Sequence, residues 1–195
     1  MNKIALAVMA ASVPLAAAAA DIYTIDPYHS FPYFDVSHLN LASIRGRFDK
    51  TSGTFSMDRA ARTGSLEVTV QTASVTTGDN DRGGRPRTRD EHLRTPDFFN
   101  IAEFPTMTFK STKVTFKGDQ PATIDGNLTM IGVTKPLSLH VEHWNCITDN
   151  AAKRERCGGV ATSSFKRSEY GMKYGVPLLG DEIKLWIGFE GLKQP

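Results

Sequence analysis

From Ile22 to Phe189, apolar and polar residues alternate in short runs rich in Val, Ile, Thr and Phe, separated by turn-forming clusters. A period of two marks strands with one dry and one wet face. The pattern predicts strands at 22–25, 31–37, 43–48, 54–57, 65–72, 106–116, 122–130, 137–144, 159–166 and 182–189. Breaks are expected at Asp49–Gly53, Lys117–Pro121 and Lys135–Pro136, where turn residues gather. Phe34, Val36 and His38 share one face of their run, and Ile44, Gly46 and Phe48 share one face of the next. Val68 with Val70, Met107 with Phe109, and Leu137 with Leu139 and Val141 repeat the arrangement. The chain therefore reads as all-β, an antiparallel barrel or sandwich. A barrel of about eight strands is just wide enough to be filled by its own side chains or to hold one ligand. Alternation alone leaves both open.

One segment breaks the rhythm. Residues 78–94 carry Gly78, Gly83, Gly84 and Pro86 among charged residues, and Asp90–Leu93 followed by Thr95–Phe99 reads as two short helical turns, the second begun by Pro96 or Asp97. This short helical segment joins two strands and is expected to cover an opening as a lid.

Residues 1–20 have an early Lys3, an apolar stretch from Ile4 to Leu15 and a small-residue end at Ala18–Ala20, the pattern of a cleavable secretory signal. The expected mature chain, 21–195, is roughly 175 residues, the size of one domain with a sizeable core. A periplasmic location follows for a bacterial protein. The net charge is +2, and loss of Lys3 removes one unit of it, so no global field invites nucleic acid. Cys146 and Cys157, the only cysteines, flank a polar insert; in an exported chain a disulfide pinning the base of that loop is expected. They lack Cys-x-x-Cys spacing and the further ligands that zinc would need.

Six ordered motifs then carry a resemblance: Tyr23–Ser30, Phe34–His38, Arg45–Phe48, Arg89–Phe99, Phe104–Ser111 and Gly126–Pro136. Together they closely resemble the YceI-like family of bacterial lipid-binding proteins, over nearly the whole mature chain. The resemblance implies an extended lipocalin-like antiparallel β-barrel whose apolar pore holds a long isoprenoid chain, such as a polyprenyl phosphate or a quinone tail. The chain departs from the family pattern in a longer, more basic insert at Arg82–Arg87 and in the Cys146–Cys157 loop.

An isoprenoid tail makes no hydrogen bonds, so it needs a dry tunnel of adaptable side chains. Expected pore residues are Phe34, Val36, Phe48, Val70, Met107 and Phe109, with Leu93, Phe98 and Phe99 of the lid either lining or plugging the pore. The polar head group is assigned to His29, His38, Asp90, His92 and Arg94, arginine being suited to phosphate by its planar fork. The set Arg82, Arg85, Arg87, Arg89 and Arg94 is the one dense local charge; its plain role is a solvated loop and its sharper one a transient contact with an anionic membrane surface. No metal site is expected: ligand spacing is absent, and His140 and His143, three apart on a strand, would face opposite ways unless a bulge intervened. Nucleophile elbow and phosphate loop are both missing, so binding, sequestration or transport without catalysis is expected, with no cofactor beyond the lipid. A homodimer through an edge or loop stays open, and Asn127–Thr129, within a strand, carries no role.

Overall fold

The computed structural model describes residues 20–195; apart from Ala20, the signal segment read at 1–20 lies outside the described residues. In chain order the strands are β1 (Asp21–Ile25), β2 (Phe31–His38), β3 (Ala42–Phe48), β4 (Thr51–Asp58), β5 (Thr63–Gln71), β6 (Val75–Thr76), β7 (Thr106–Lys117), β8 (Gln120–Met130), β9 (Val133–Asp149), β10 (Arg154–Lys166) and β11 (Leu179–Lys193). One short helix, α1 (Arg89–Leu93), lies between β6 and β7.

Every pairing is antiparallel, and eight strands close into a barrel in the order β1-β4-β5-β7-β8-β9-β10-β11. The ring shuts where Tyr23–Ile25 meets Gly191–Lys193. Strand β11 is longer than that junction requires. Its segment Leu179–Gly188 pairs instead with β2, which passes to β3 and then to β6, so this hairpin extends the wall beyond the end of β1.

Three strand features differ from simple alternation. The β8–β9 turn is Ile131–Gly132, both with positive φ (51° and 71°), as a tight two-residue hairpin demands. The predicted break at Lys135–Pro136 is thus inside β9; pairing of β9 to β10 begins only at His140, so Pro136 sits where a missing N–H costs least. Second, Thr112 is an extra residue in β7 opposite β8, and the inward set moves from Met107 and Phe109 to Val114 and Phe116. Third, Glu142 is an extra residue in β9 opposite β10. The bulge turns Trp144 inward and leaves both His140 and His143 on the outer face, so they are not split between faces.

The core falls into three clusters stacked along the barrel. At the end where β1 closes the ring, Tyr23, Ile25, Phe55, Met57, Trp144 and Cys157 are buried. Tyr23 stacks on Phe55 at 4.6 Å between ring centroids, and Trp144 meets Phe55 edge-on at 5.7 Å. Phe109, Ile124, Leu137, Leu139 and Ala161 occupy the middle. Phe34, Phe48, Val70, Val75, Phe99, Met107, Met130, Tyr170 and Met172 form the third, under the lid.

Polar groups brace the first of these ends. The Cys146–Cys157 disulfide forms between directly opposed residues of β9 and β10; closing a loop of that size contributes about 2–4 kcal/mol. Arg59 donates to Glu155 at 3.1 Å, and Glu155 in turn accepts from the buried Tyr23 hydroxyl. Arg156 donates to Asp26 at 2.6 Å, to Asp149 at 2.8 Å and to Glu190 at 3.2 Å. Asp26, His29 and Glu190 converge closely, but this guanidinium already meets the two carboxylates.

Candidate functional site

A cavity of about 460 Å³ runs through the barrel from the middle cluster to the lid. Its floor is Ile25 and Phe189; Tyr23, Phe55, Met57 and Trp144 lie beyond, so the braced end is closed. The wall is almost wholly apolar, and the longer strands supply inward alternates, such as Leu66, Val68 and Val70 from β5 or Ile183, Leu185 and Ile187 from β11. Cross-strand glycines give three rings a place to lie. The ring of Phe34 covers Gly46, that of Phe109 covers Gly126 and that of Phe55 covers Gly191, each so close that a Cβ would collide with it.

At the lid end the lining changes character. Arg85, Arg87, Arg89, Arg167, His38 and His92 all border the cavity, and no Asp or Glu does. The lid itself is fastened by side chains. Thr88 and Glu91 form a reciprocal cap on α1, with Glu91 N–H donating to Thr88 Oγ1 at 3.0 Å and Thr88 N–H to Glu91 Oε2 at 2.8 Å. The predicted second helical turn is a chain of turns instead: Phe98 N–H reaches Thr95 C=O and Phe99 N–H reaches Leu93 C=O. Thr72, buried, anchors the far end of the segment by donating to Phe104 C=O at 2.7 Å.

All nine predicted pore residues line the cavity: Phe34, Val36, Phe48, Val70, Leu93, Phe98, Phe99, Met107 and Phe109. The lid residues Leu93, Phe98 and Phe99 pack on the third core cluster while facing the lumen. Of the five head-group candidates, only His38 and His92 are brought to the lining. Asp90 is buried, and its carboxylate accepts from the hydroxyls of Thr76 and Thr77 and from Thr77 N–H, so it ties the lid to β6. Arg94 donates to Ala73 C=O at 3.1 Å and Val75 C=O at 2.9 Å, a second tie to the same segment. His29 is exposed at the opposite side of the fold, where Asp26 bonds it at 2.9 Å and raises its pKa. The three have partners within the protein and do not reach the lumen.

The cations that do border the mouth differ in how far they are neutralised. Arg85 is paired with Asp79 through both carboxylate oxygens, and Arg82, nearby, with Glu91 in the same way. These contacts hold the Asp79 and Glu91 carboxyls down at about 2. Arg87 meets Asp97 only at 3.5 Å, and Asp97 already bonds His92 Nε2 at 2.7 Å. The Arg89 side chain donates to the hydroxyl of Thr77 and forms no ion pair. Arg167, only 2% exposed, donates to four backbone carbonyls, those of Met172, Tyr174, Leu179 and Gly180, at 2.8–3.0 Å. Burial lowers its pKa, with the Asp181 charge opposing. It anchors the loop that forms one rim of the mouth. The dense arginine set was visible in the sequence; Arg167 was not, because its burial depends on that returning loop.

Comparison with known proteins agrees with this geometry. Residues 23–190 match the YceI-like domain. A UPF0312 protein of Shewanella baltica is 36% identical over 184 residues, covering 93% of this chain and 92% of its own. The crystal structure of Campylobacter jejuni YCEI protein superposes with a TM-score of 0.67 at 27% identity, over 82% of this chain and 90% of that one. A polyisoprenoid binding domain from Saccharophagus degradans, implicated in plant cell wall breakdown, shares the fold with a TM-score of 0.63 at 16% identity, over 88% and 98%. An apolar-lumened eight-stranded barrel with this motif order and these relatives belongs to the YceI-like family.

Proposed function

We propose that the protein holds a long-chain isoprenoid lipid in the barrel, its tail toward Phe189 and its polar end among the mouth cations, and sequesters or carries it in the periplasm without transforming it. The observation that carries this reading is the lining: an apolar cavity of about 460 Å³, within the usual size of ligand sites, with four arginines and two histidines at one end and no carboxylate. The polyisoprenoid binding domain of the same fold supports a tail of that class. An acidic head group such as a phosphate suits Arg87 and Arg89, whose planar forks are the least neutralised. An uncharged quinone ring would leave them unused. A non-catalytic role is supported by the state of the polar lining: the Ser30 hydroxyl is bonded to the backbone of Glu190, and His92 bonds the Asp97 carboxylate and no hydroxyl, so among the described residues of the lining no Ser or Thr is hydrogen-bonded to a histidine base.

Solvent extraction of the purified mature chain, with mass spectrometry against a denatured control, is expected to release a stoichiometric isoprenoid with an acidic head. Phe109→Arg, which places a charge in the middle of the lumen, is expected to remove that load; near-ultraviolet circular dichroism would check that the variant is still packed. A wild-type protein that emerges empty and takes up neither polyprenyl phosphates nor quinones on reconstitution would end this reading.

A further inference from the structure

Nine large hydrophobic side chains stand exposed among the described residues, and five of them, Leu39, Leu41, Tyr174, Val176 and Leu178, sit on two loops at the cavity mouth. Scattered singly, such residues would mean little; gathered at one place they mark a contact surface. Leu39 and Leu41 form the tip between β2 and β3, and Leu41 is 84% exposed. The other three precede β11, and Leu178 is 66% exposed. The two loops are one platform: Leu39 N–H donates to Leu178 C=O at 2.8 Å, and His38 pairs with Leu179 in the sheet. Leu39 and Asn40 both hold positive φ (57° and 55°), a conformation that favours Gly or Asn and that local preference does not explain for a leucine. The platform is continuous with the lid. Tyr174 packs on His92 at 4.9 Å and on Phe98 at 5.3 Å, and Asp97 joins His92 to Arg87.

We infer that this face docks on an anionic lipid bilayer, with Leu41 and Leu178 entering the interface and Arg87 and Arg89 meeting acidic head groups. The inference rests on the reading of the cavity as a lipid site. Its logic is that an isoprenoid leaving through this mouth into water would expose its whole apolar length. An apolar rim set into a bilayer lets the chain pass from one dry medium to another. Charge points the same way: Arg82 and Arg85 are occupied within the loop, whereas Arg87, linked through Asp97 to the His92 on which Tyr174 packs, is only weakly paired, and Arg89 at the same mouth forms no ion pair. Interfacial binding combines these two features, buried apolar area and attraction to anionic lipid.

The test is co-flotation of the mature chain with phosphatidylcholine vesicles, with and without phosphatidylglycerol, for wild type and for Leu41→Ser combined with Leu178→Ser. Both positions are exposed, so the fold is expected to survive, and thermal unfolding checks it. Wild type should float with the anionic vesicles, and the double variant should lose about tenfold or more in affinity while keeping its extracted lipid. Docking is overturned if wild type ignores vesicles, or if the variant floats equally well. It is also overturned if light scattering shows a dimer that the two serines disperse, because the face would then join two copies. A wild type that carries no lipid, yet floats in a leucine-dependent way, would refute the cavity reading and leave the docking surface standing.

Discussion

The two ends of the barrel hold similar kinds of residue and use them in opposite ways. At the closed end, most charges pair across long stretches of chain: Arg156, which also holds Asp149 within its own hairpin, brings together Asp26 and Glu190, and Arg59 reaches Glu155 beside the disulfide. Each pairing fastens a different strand, and stacked aromatic rings fill the space behind. At the mouth, the pairs Arg82–Glu91 and Arg85–Asp79 stay within one loop, and Arg87 and Arg89 are left with weak or neutral partners. Exposed local pairs contribute little to stability. The contrast places the ties that couple distant strands at one end and leaves the other held by local ones, and locally held segments are the less stable parts of a fold.

The sharpest way to break that comparison is Trp144→Ala. It removes a buried ring from the closed end and is expected to cost about 3–5 kcal/mol in urea denaturation. A loss below about 1 kcal/mol would show that the stabilising end has been misplaced. Asp90→Ala is the matching blow to the lid. It strips the carboxylate that binds Thr76 and Thr77, leaving a backbone N–H unpaired, and is expected to cost about 1–3 kcal/mol. Hydrogen exchange should then quicken across 77–94 while β9 and β10 stay protected; uniform quickening would mean that lid and barrel unfold as one.

Acid should give the smallest effect. Asp79 and Glu91 lie near 2 in the folded protein because Arg85 and Arg82 hydrogen-bond them, against 3.8 and 4.5 for the free groups. A depressed carboxyl contributes fully above its unfolded value, so the lid ties are complete above about 4.5 and lost as pH falls toward about 2. At the closed end, burial opposes ionisation of Asp26, but hydrogen bonds from His29 and Arg156 outweigh it and bring that group to about 2 as well. There the disulfide and the rings hold when the charge is gone. Exchange measured at falling pH should therefore loosen 79–91 before 146–157, and simultaneous loosening would erase the distinction.

The strands were legible because period two survives wherever one face is buried; the first six residues of β5 and the first five of β7 show it residue by residue. What escaped depends on a partner. The bulges at Thr112 and Glu142 are slips of phase that only the opposing strand reveals, so the shared outer face of His140 and His143 could not be read from their spacing. The two-residue β6 is too short to carry a pattern. Asp90, Arg94 and His29 have the chemistry of head-group ligands, and the acceptors and donors that claim them come from segments 72–77 and from Asp26. The apolar pore residues fared better, since burial follows from alternation while a polar side chain's task follows from its nearest neighbours.

The glycines beneath the phenylalanines set a dimension as well as a packing. With Phe34 laid over Gly46 and Phe109 over Gly126, two of the largest side chains in the lumen are accommodated in the wall rather than across it. The calibre of the tunnel is thus governed by residues that present no side chain to a ligand. One methyl group at Gly46 would push the Phe34 ring off the wall toward the axis and narrow the bore without changing any residue that faces the lumen.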